Sequence, residues 1–147
     1  MRSPAIFVSA ALFTLNATAH ALSPYREVTP ERINELHVAF DIQSKQIANG
    51  DVAFTVNVSE KDGPKIPDHY NIRLAIIKIT DFPGGRFEGG TVVRELKSEH
   101  QGKSVFCAFT VSKKELEDPN ISFLIEWPRG KFNVDSYFAP LRNFLPK

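Results

Sequence analysis

Cysteine is almost missing from this sequence: Cys107 is the only one in 147 residues. A single thiol excludes an internal disulfide, so an exported chain of this composition must hold itself together by its core. Cys107 also lies too deep in the chain to be a lipid-attachment cysteine beside an N-terminal cleavage site. Its place in an apolar strand pattern marks it as a small buried hydrophobe. Pairing with a second chain is the alternative for an odd cysteine. Methionine is limited to Met1, and no histidine follows closely after Cys107. A copper centre of two histidines, a cysteine and an axial methionine is therefore excluded. No sign of charge is in excess either, with 18 basic against 17 acidic residues. That balance argues against nucleic acid or anionic lipid as the main partner, since both reward a basic surplus.

Long apolar runs are the last scarcity, with one exception. Ala5 to Leu15 (AIFVSAALFTL) is nearly continuous and follows Arg2. It has about half of the roughly 20 residues that a bilayer span needs. It does match the apolar region of a secretory signal. Ala19-His20-Ala21 then supplies an A-x-A cleavage site, with Ala17-Thr18-Ala19 as a second choice. We therefore expect a cleaved signal over residues 1–21 and one domain over residues 22–147, exported to the periplasm or beyond the cell. Removal of Arg2 brings the formal charge to zero. A domain of that length buries roughly two-thirds of its unfolded surface in one core. No second run approaches membrane length, so no membrane insertion of the mature chain is expected.

What is abundant is alternation. A connecting segment, Leu22 to Glu35, carries Pro24 and Pro30, and Thr29-Pro30-Glu31-Arg32 predicts a short helical turn. Leu36, Val38, Phe40 and Ile42 then alternate with His37, Ala39, Asp41 and Gln43. After Asn49-Gly50-Asp51 the chain returns through Val52, Phe54, Val56 and Val58. These two strands form a predicted hairpin with both apolar rows on one face. Asn71 to Thr80 is the most apolar strand and reads as central; its alternation slips at Ile76 and Ile77, which calls for two covered faces or a bulge. Thr91 to Ser98 is polar enough for an edge. Val105, Cys107, Phe109 and Val111 share a face of the strand from Ser104 to Val111. Ser112-Lys113-Lys114-Glu115 has capping-box spacing. Ile121, Phe123, Ile125 and Trp127 alternate with Ser122, Leu124 and Glu126. Phe132 to Phe138 is the last predicted strand, ended by Pro140, with Leu141, Phe144 and Leu145 anchoring the tail.

About seven strands with frequent turn signals predict an all-β fold, a single antiparallel β-sandwich with one or two short helical turns. The two long connections, 60–70 and 81–90, suit crossovers between sheets, so an immunoglobulin-like Greek key is expected. The Cys…Trp…Cys hallmark of antibody domains is missing.

Motifs that carry chemistry fare poorly. There is no G-x-S-x-G elbow for a serine nucleophile. Gly102-Lys103-Ser104 resembles the end of a phosphate loop, but Lys97 stands where that loop needs glycine and a strand follows instead of a helix. Glu115, Glu117 and Asp118 lack calcium-loop spacing and serve capping and solvation. His37, His69 and His100 read as surface or loop histidines, with a zinc or copper(II) site from His69 and His100 left open. Asn57-Val58-Ser59 and Asn120-Ile121-Ser122 fit the glycosylation pattern, which carries meaning only in a eukaryotic host. No catalytic residue, metal ligand or cofactor is assigned.

Surface recognition is what remains. Phe82, Arg86 and Phe87 sit among Gly84, Gly85, Gly89 and Gly90, and Arg129 and Lys131 flank a turn after Trp127. Aromatic and arginine side chains on flexible loops are the anchors of protein interfaces. The alternative is that Phe82 and Phe87 fold back as plugs over the core. The expected function is a non-catalytic binding or accessory module for a protein or glycan partner, through Phe82, Arg86, Phe87, Arg129 and Lys131. A carrier of a small apolar ligand, and a hydrolase or metal-binding protein, stay open as alternatives.

Overall fold

The computed structural model describes residues 25–61, 72–80, 90–128 and 133–147. They form two sheets facing one another, an all-β sandwich as expected. In chain order the strands are β1 (Arg26–Glu27), β2 (Val38–Gln46), β3 (Val52–Glu60), β4 (Arg73–Ile79), β5 (Gly90–Glu95), β6 (Glu99–Gln101), β7 (Ser104–Val111), β8 (Ile121–Pro128) and β9 (Val134–Pro140), with one helical turn, α1 (Lys113–Leu116). One sheet runs β2-β3-β7-β6 and the other β1-β9-β8-β4-β5. Among the described residues no helix is long and apolar enough to cross a membrane.

The four-stranded sheet follows directly from period two. Phe40 lies opposite Val58, Ile42 opposite Val56, Val56 opposite Cys107 and Phe54 opposite Phe109. Every one of these side chains points inward, and Asp41, Gln43, Thr55 and Asn57 point to solvent. The β2–β3 connection takes the predicted Asn-Gly chemistry: φ is 65° at Asn49 and 81° at Gly50, a pair of left-handed conformations that these residue types adopt at least cost. The capping box forms as well. Ser112 accepts from the Glu115 N–H at 3.2 Å, and the Glu115 carboxylate accepts from the Ser112 N–H at 2.8 Å.

Across the interface Phe54, Phe109 and Phe123 stack with ring centroids 5.4 and 5.6 Å apart. They join the two sheets at the middle of the core. Phe40 meets Tyr137 edge-on at 5.3 Å, and the Arg26 guanidinium stands 6.0 Å from the Tyr137 ring centroid. Cys107 is buried in this core. Burial alone pushes its thiol pKa up to about 11, since the thiolate would lose its solvation.

The five-stranded sheet is apolar on both faces. Leu74, Ile76, Phe123, Ile125, Trp127 and Tyr137 face the other sheet, while Ala75, Ile77, Ile79, Leu124 and Phe138 make a second buried cluster on the opposite face, with Tyr25 against it. The slip at Ile76 and Ile77 thus has both proposed causes. Two faces are covered, and the register with β5 shifts between those residues, leaving Val93 as the extra one.

Several expectations need correction. Among the described residues the strands number nine, because the very short β1 and β6 add to the seven expected. The chain from 81 to 89 does not cross between sheets, because β4 and β5 are antiparallel neighbours in one sheet. The crossing falls instead at 96–98, where the chain leaves β5 and enters β6 on the other sheet, with the Leu96 N–H still bonded to the Leu74 carbonyl. The last strand runs to Pro140 instead of ending at Phe138, with Pro140 opposite Ser122 as the final pair. In the tail Leu141 is buried and Phe144 half-buried, but Leu145 is exposed and anchors nothing. The predicted turn at Thr29 exists, with the Arg32 N–H reaching the Thr29 carbonyl, and runs on into a 3-10 turn at Ile33–Glu35.

Candidate functional site

The register decides which candidate residues can meet. β4 begins at Arg73 opposite Glu126, near the end of β8, and its last pair with β8 is Lys78 opposite Ile121, where β8 begins. The chain leaving β4 at Ile79 toward Phe82, Arg86 and Phe87 therefore departs from one end of the sheet. The chain leaving β8 at Pro128 toward Arg129 and Lys131 departs from the other. Those ends are separated by about six residues of strand, or roughly 20 Å. The five candidates themselves, and His69, lie outside the described residues.

The end where β8 finishes and β9 begins is also where β3 ends, β4 begins and β6 turns into β7. It is tied down by specific contacts. The buried Trp127 indole N–H donates to the Glu60 carboxylate at 2.8 Å, joining the two sheets. The Glu60 N–H reaches the Lys103 carbonyl at 3.2 Å, and Lys61 donates to the carbonyls of Asn34 and Leu36. On the outer face at this end, Arg73 bridges Glu95 at 2.7 Å and Glu126 at 3.4 Å. The hydrogen bonds that Arg73 donates to the Glu95 carboxylate lower the Glu95 pKa and raise that of Arg73. These are exposed partners and fix geometry more than stability.

The opposite end is closed by the β7–β8 crossover. Lys78 pairs with Asp118 at 2.7 Å, and Arg94 on β5 reaches Glu115 of the capping box and the Thr110 carbonyl. That hydrogen bond from Lys78 is the main reason the Asp118 pKa is lowered. Beside it, on the outer face of the five-stranded sheet, lies a cleft of about 190 Å³. Read down that face, the rows are Arg73, Glu126 and Ser136; then Ala75, Leu124 and Phe138; then Ile77, Ser122 and Pro140. The cleft takes up the lower rows. Ile79 and Phe138 give it apolar surface, Pro119 and Pro140 border it, and Glu27, Asn120, Ser122 and Arg142 supply polar groups.

Glu27 reaches this place through a pairing that sequence reasoning missed. β1 adds to β9 in parallel, with Glu27 opposite Phe138. Nothing in a two-residue strand announces such a partner. Ser122 did leave a signal: it is a lone hydroxyl in the apolar run of β8, and it is 1% exposed. Its hydroxyl donates only a long bond, 3.5 Å, to the Asn120 carbonyl.

His37 and His100 are exposed, the latter on the three-residue β6. Among the described residues no group of three or more histidine, cysteine or acidic side chains is placed to hold a metal ion. Comparison with protein families, curated proteins and solved structures returned no match.

Proposed function

We propose that this chain is an exported, non-catalytic β-sandwich that acts as a binding or accessory module for a protein or glycan partner. The observation that carries the reading is the pinned end of the sandwich, where Glu60 at the end of β3 meets both Trp127 of β8 and the turn at Gly102 and Lys103. Rigid sandwiches present recognition residues on their end loops. An immunoglobulin-like Greek key is part of the same proposal. Strand orders β2-β3-β7-β6 and β9-β8-β4-β5 parallel the A-B-E-D and G-F-C-C′ orders of that architecture, with β1 added beside β9. Export rests on the n-region, apolar run and A-x-A site of residues 1–21. The apolar-carrier reading has less support, since stacked phenylalanines occupy the space between the sheets where such a ligand would sit.

Two experiments test the proposal. N-terminal sequencing of the chain recovered from its producing cell should begin at residue 22, and a mature chain starting at Met1 would overturn export. The purified chain should bind a glycan array or immobilised surface proteins of its own cell. Arg129→Ala with Lys131→Ala, or Arg86→Ala with Phe87→Ala, should weaken that binding while the thermal midpoint stays in place. Binding that no loop substitution alters would refute the loop assignment, and a large stability loss from Phe87→Ala would place that ring in the core.

A further inference from the structure

The edge of β2 goes beyond this reading, because it involves none of the end loops. The described sheets end in β1, β5, β6 and β2. β1 has two residues and β6 three, and β5 carries the register shift opposite Ile76 and Ile77. Shortness and bulges are the usual means of blunting an edge. β2 has neither. It keeps one register with β3 along its whole length and contains no proline. Just beyond it, in the same register, the Ile47 N–H donates to the Asp51 carbonyl at 2.9 Å. Bonded pairs recur at every second residue of an antiparallel ladder. Lys45, Gln43, Asp41 and Ala39 therefore turn their backbone groups to β3, while Phe40, Ile42, Ser44 and Gln46 turn theirs outward from the sheet. Among the described residues no other strand pairs with β2 on that side.

The side chains along this edge decide what can add to it. Asp41, Gln43 and Lys45 are exposed on the solvent face, and Ile47 beyond them is 41% exposed. Asp41 and Lys45 stand two positions either side of Gln43. A second β2 running antiparallel about Gln43 sets Asp41 opposite Lys45 of the other copy, and Lys45 opposite its Asp41. Gln43 then faces itself, and Ile47 meets Ala39. The same alignment lets Ile42 and Ser44 exchange backbone bonds, as their outward-turned groups require. A slide of two residues loses both ion pairs, and a slide of four sets Asp41 against Asp41 or Lys45 against Lys45. Opposite charges directly across a ladder stabilise it, and like charges oppose it. We propose that β2 is a self-association edge: a second copy of this chain adds in antiparallel register about Gln43, joining two four-stranded sheets into one.

The test is sedimentation equilibrium of the purified full chain and its variants. Wild type should dimerise reversibly, and more weakly at high salt. Asp41→Lys and Lys45→Asp each set like charges opposite one another twice, so either alone should weaken the dimer at least about tenfold. Mixed in equal amounts, the two variants regain both opposite-charge pairs and should associate as wild type does. Both swaps in one chain should do the same. Gln43→Cys reads the register. Facing residues of a non-bonded pair lie about 4.5 Å apart at Cα, within disulfide reach, so this variant should cross-link to itself on oxidation. Ala39→Cys, which faces Ile47, should not, and the buried Cys107 does not compete. Asp41, Gln43 and Lys45 are exposed, so the thermal midpoint should stay in place. A chain still monomeric at millimolar concentration, a dimer indifferent to both single swaps, variants that fail to rescue one another, or cross-linking through Ala39→Cys in place of Gln43→Cys would each overturn the proposal. A monomer would leave partner capture by the end loops intact, so the two readings fail separately.

Discussion

Replacing Phe123 by alanine probes the contact on which the sandwich depends. Phe123 comes from β8 and is 1% exposed; it stacks on Phe109 of β7 at 5.6 Å with ring planes 5° apart. Phe109 in turn stacks on Phe54, so the substitution removes one end of a three-ring column linking the sheets. A buried Phe→Ala change costs about 3–5 kcal/mol through lost transfer and the cavity left behind. The aromatic pairing itself is worth roughly 0.5–1.5 kcal/mol of that. Against the ~5–15 kcal/mol stability of ordinary domains, the loss should lower the thermal midpoint by roughly 10–20 °C. Trp127, the only tryptophan and itself buried, reports unfolding by its emission in a urea titration. The cycle of Phe109→Leu and Phe123→Leu should give a coupling of about 0.5–1.5 kcal/mol. A loss under about 1 kcal/mol for Phe123→Ala, the range of surface changes, would refute enclosure of this ring between the sheets.

Three further outcomes follow from named contacts. Glu60→Ala should cost about 1–3 kcal/mol in the same titration and alter Trp127 emission, because the buried indole N–H loses its acceptor; Glu60→Gln, which keeps a carbonyl oxygen there, should cost much less. Cys107, with its pKa raised to about 11, should resist a thiol reagent at pH 8 in the folded chain and react at once in denaturant. Glu115 gives a pH dependence. Burial pushes its carboxyl up, but the Ser112 N–H bond, the Arg94 charge and the Ser112 and Arg94 side-chain bonds outweigh this, and the net shift is down. A lowered folded pKa contributes stability that is complete above the unfolded value of about 4.3 and fades as pH falls through the folded one. Glu115→Gln retains capping geometry without the charge, so its deficit against wild type should be largest near neutrality and vanish in strong acid. A deficit independent of pH would contradict the assignment.

Local chemistry was legible along the chain wherever a feature is encoded within a few residues. Val52, Phe54, Val56 and Val58 announced a half-buried strand because side chains alternate by geometry, and Ser112 with Glu115 announced a cap because the two are three positions apart. Asn49-Gly50 announced its turn through the rarity of left-handed backbone in other residues. The candidate loop residues Phe82, Arg86, Phe87, Arg129 and Lys131 were read from composition alone, which carries no contact between distant positions.

By itself, then, the sequence determined two apolar rows that must face each other, a polar edge strand, a buried thiol and a closing helical turn, since each depends on the period or spacing of neighbouring residues. Only the tertiary structure decided that the 81–89 connection joins neighbours in one sheet, that residues 96–98 make the crossing, and that β1 lies parallel to β9. Strand pairing is a contact between distant residues, chosen by how the whole core packs. The cleft depends on that choice entirely: Glu27 and Arg142 are more than a hundred positions apart, and only the pairing of β1 with β9 sets them around one cavity.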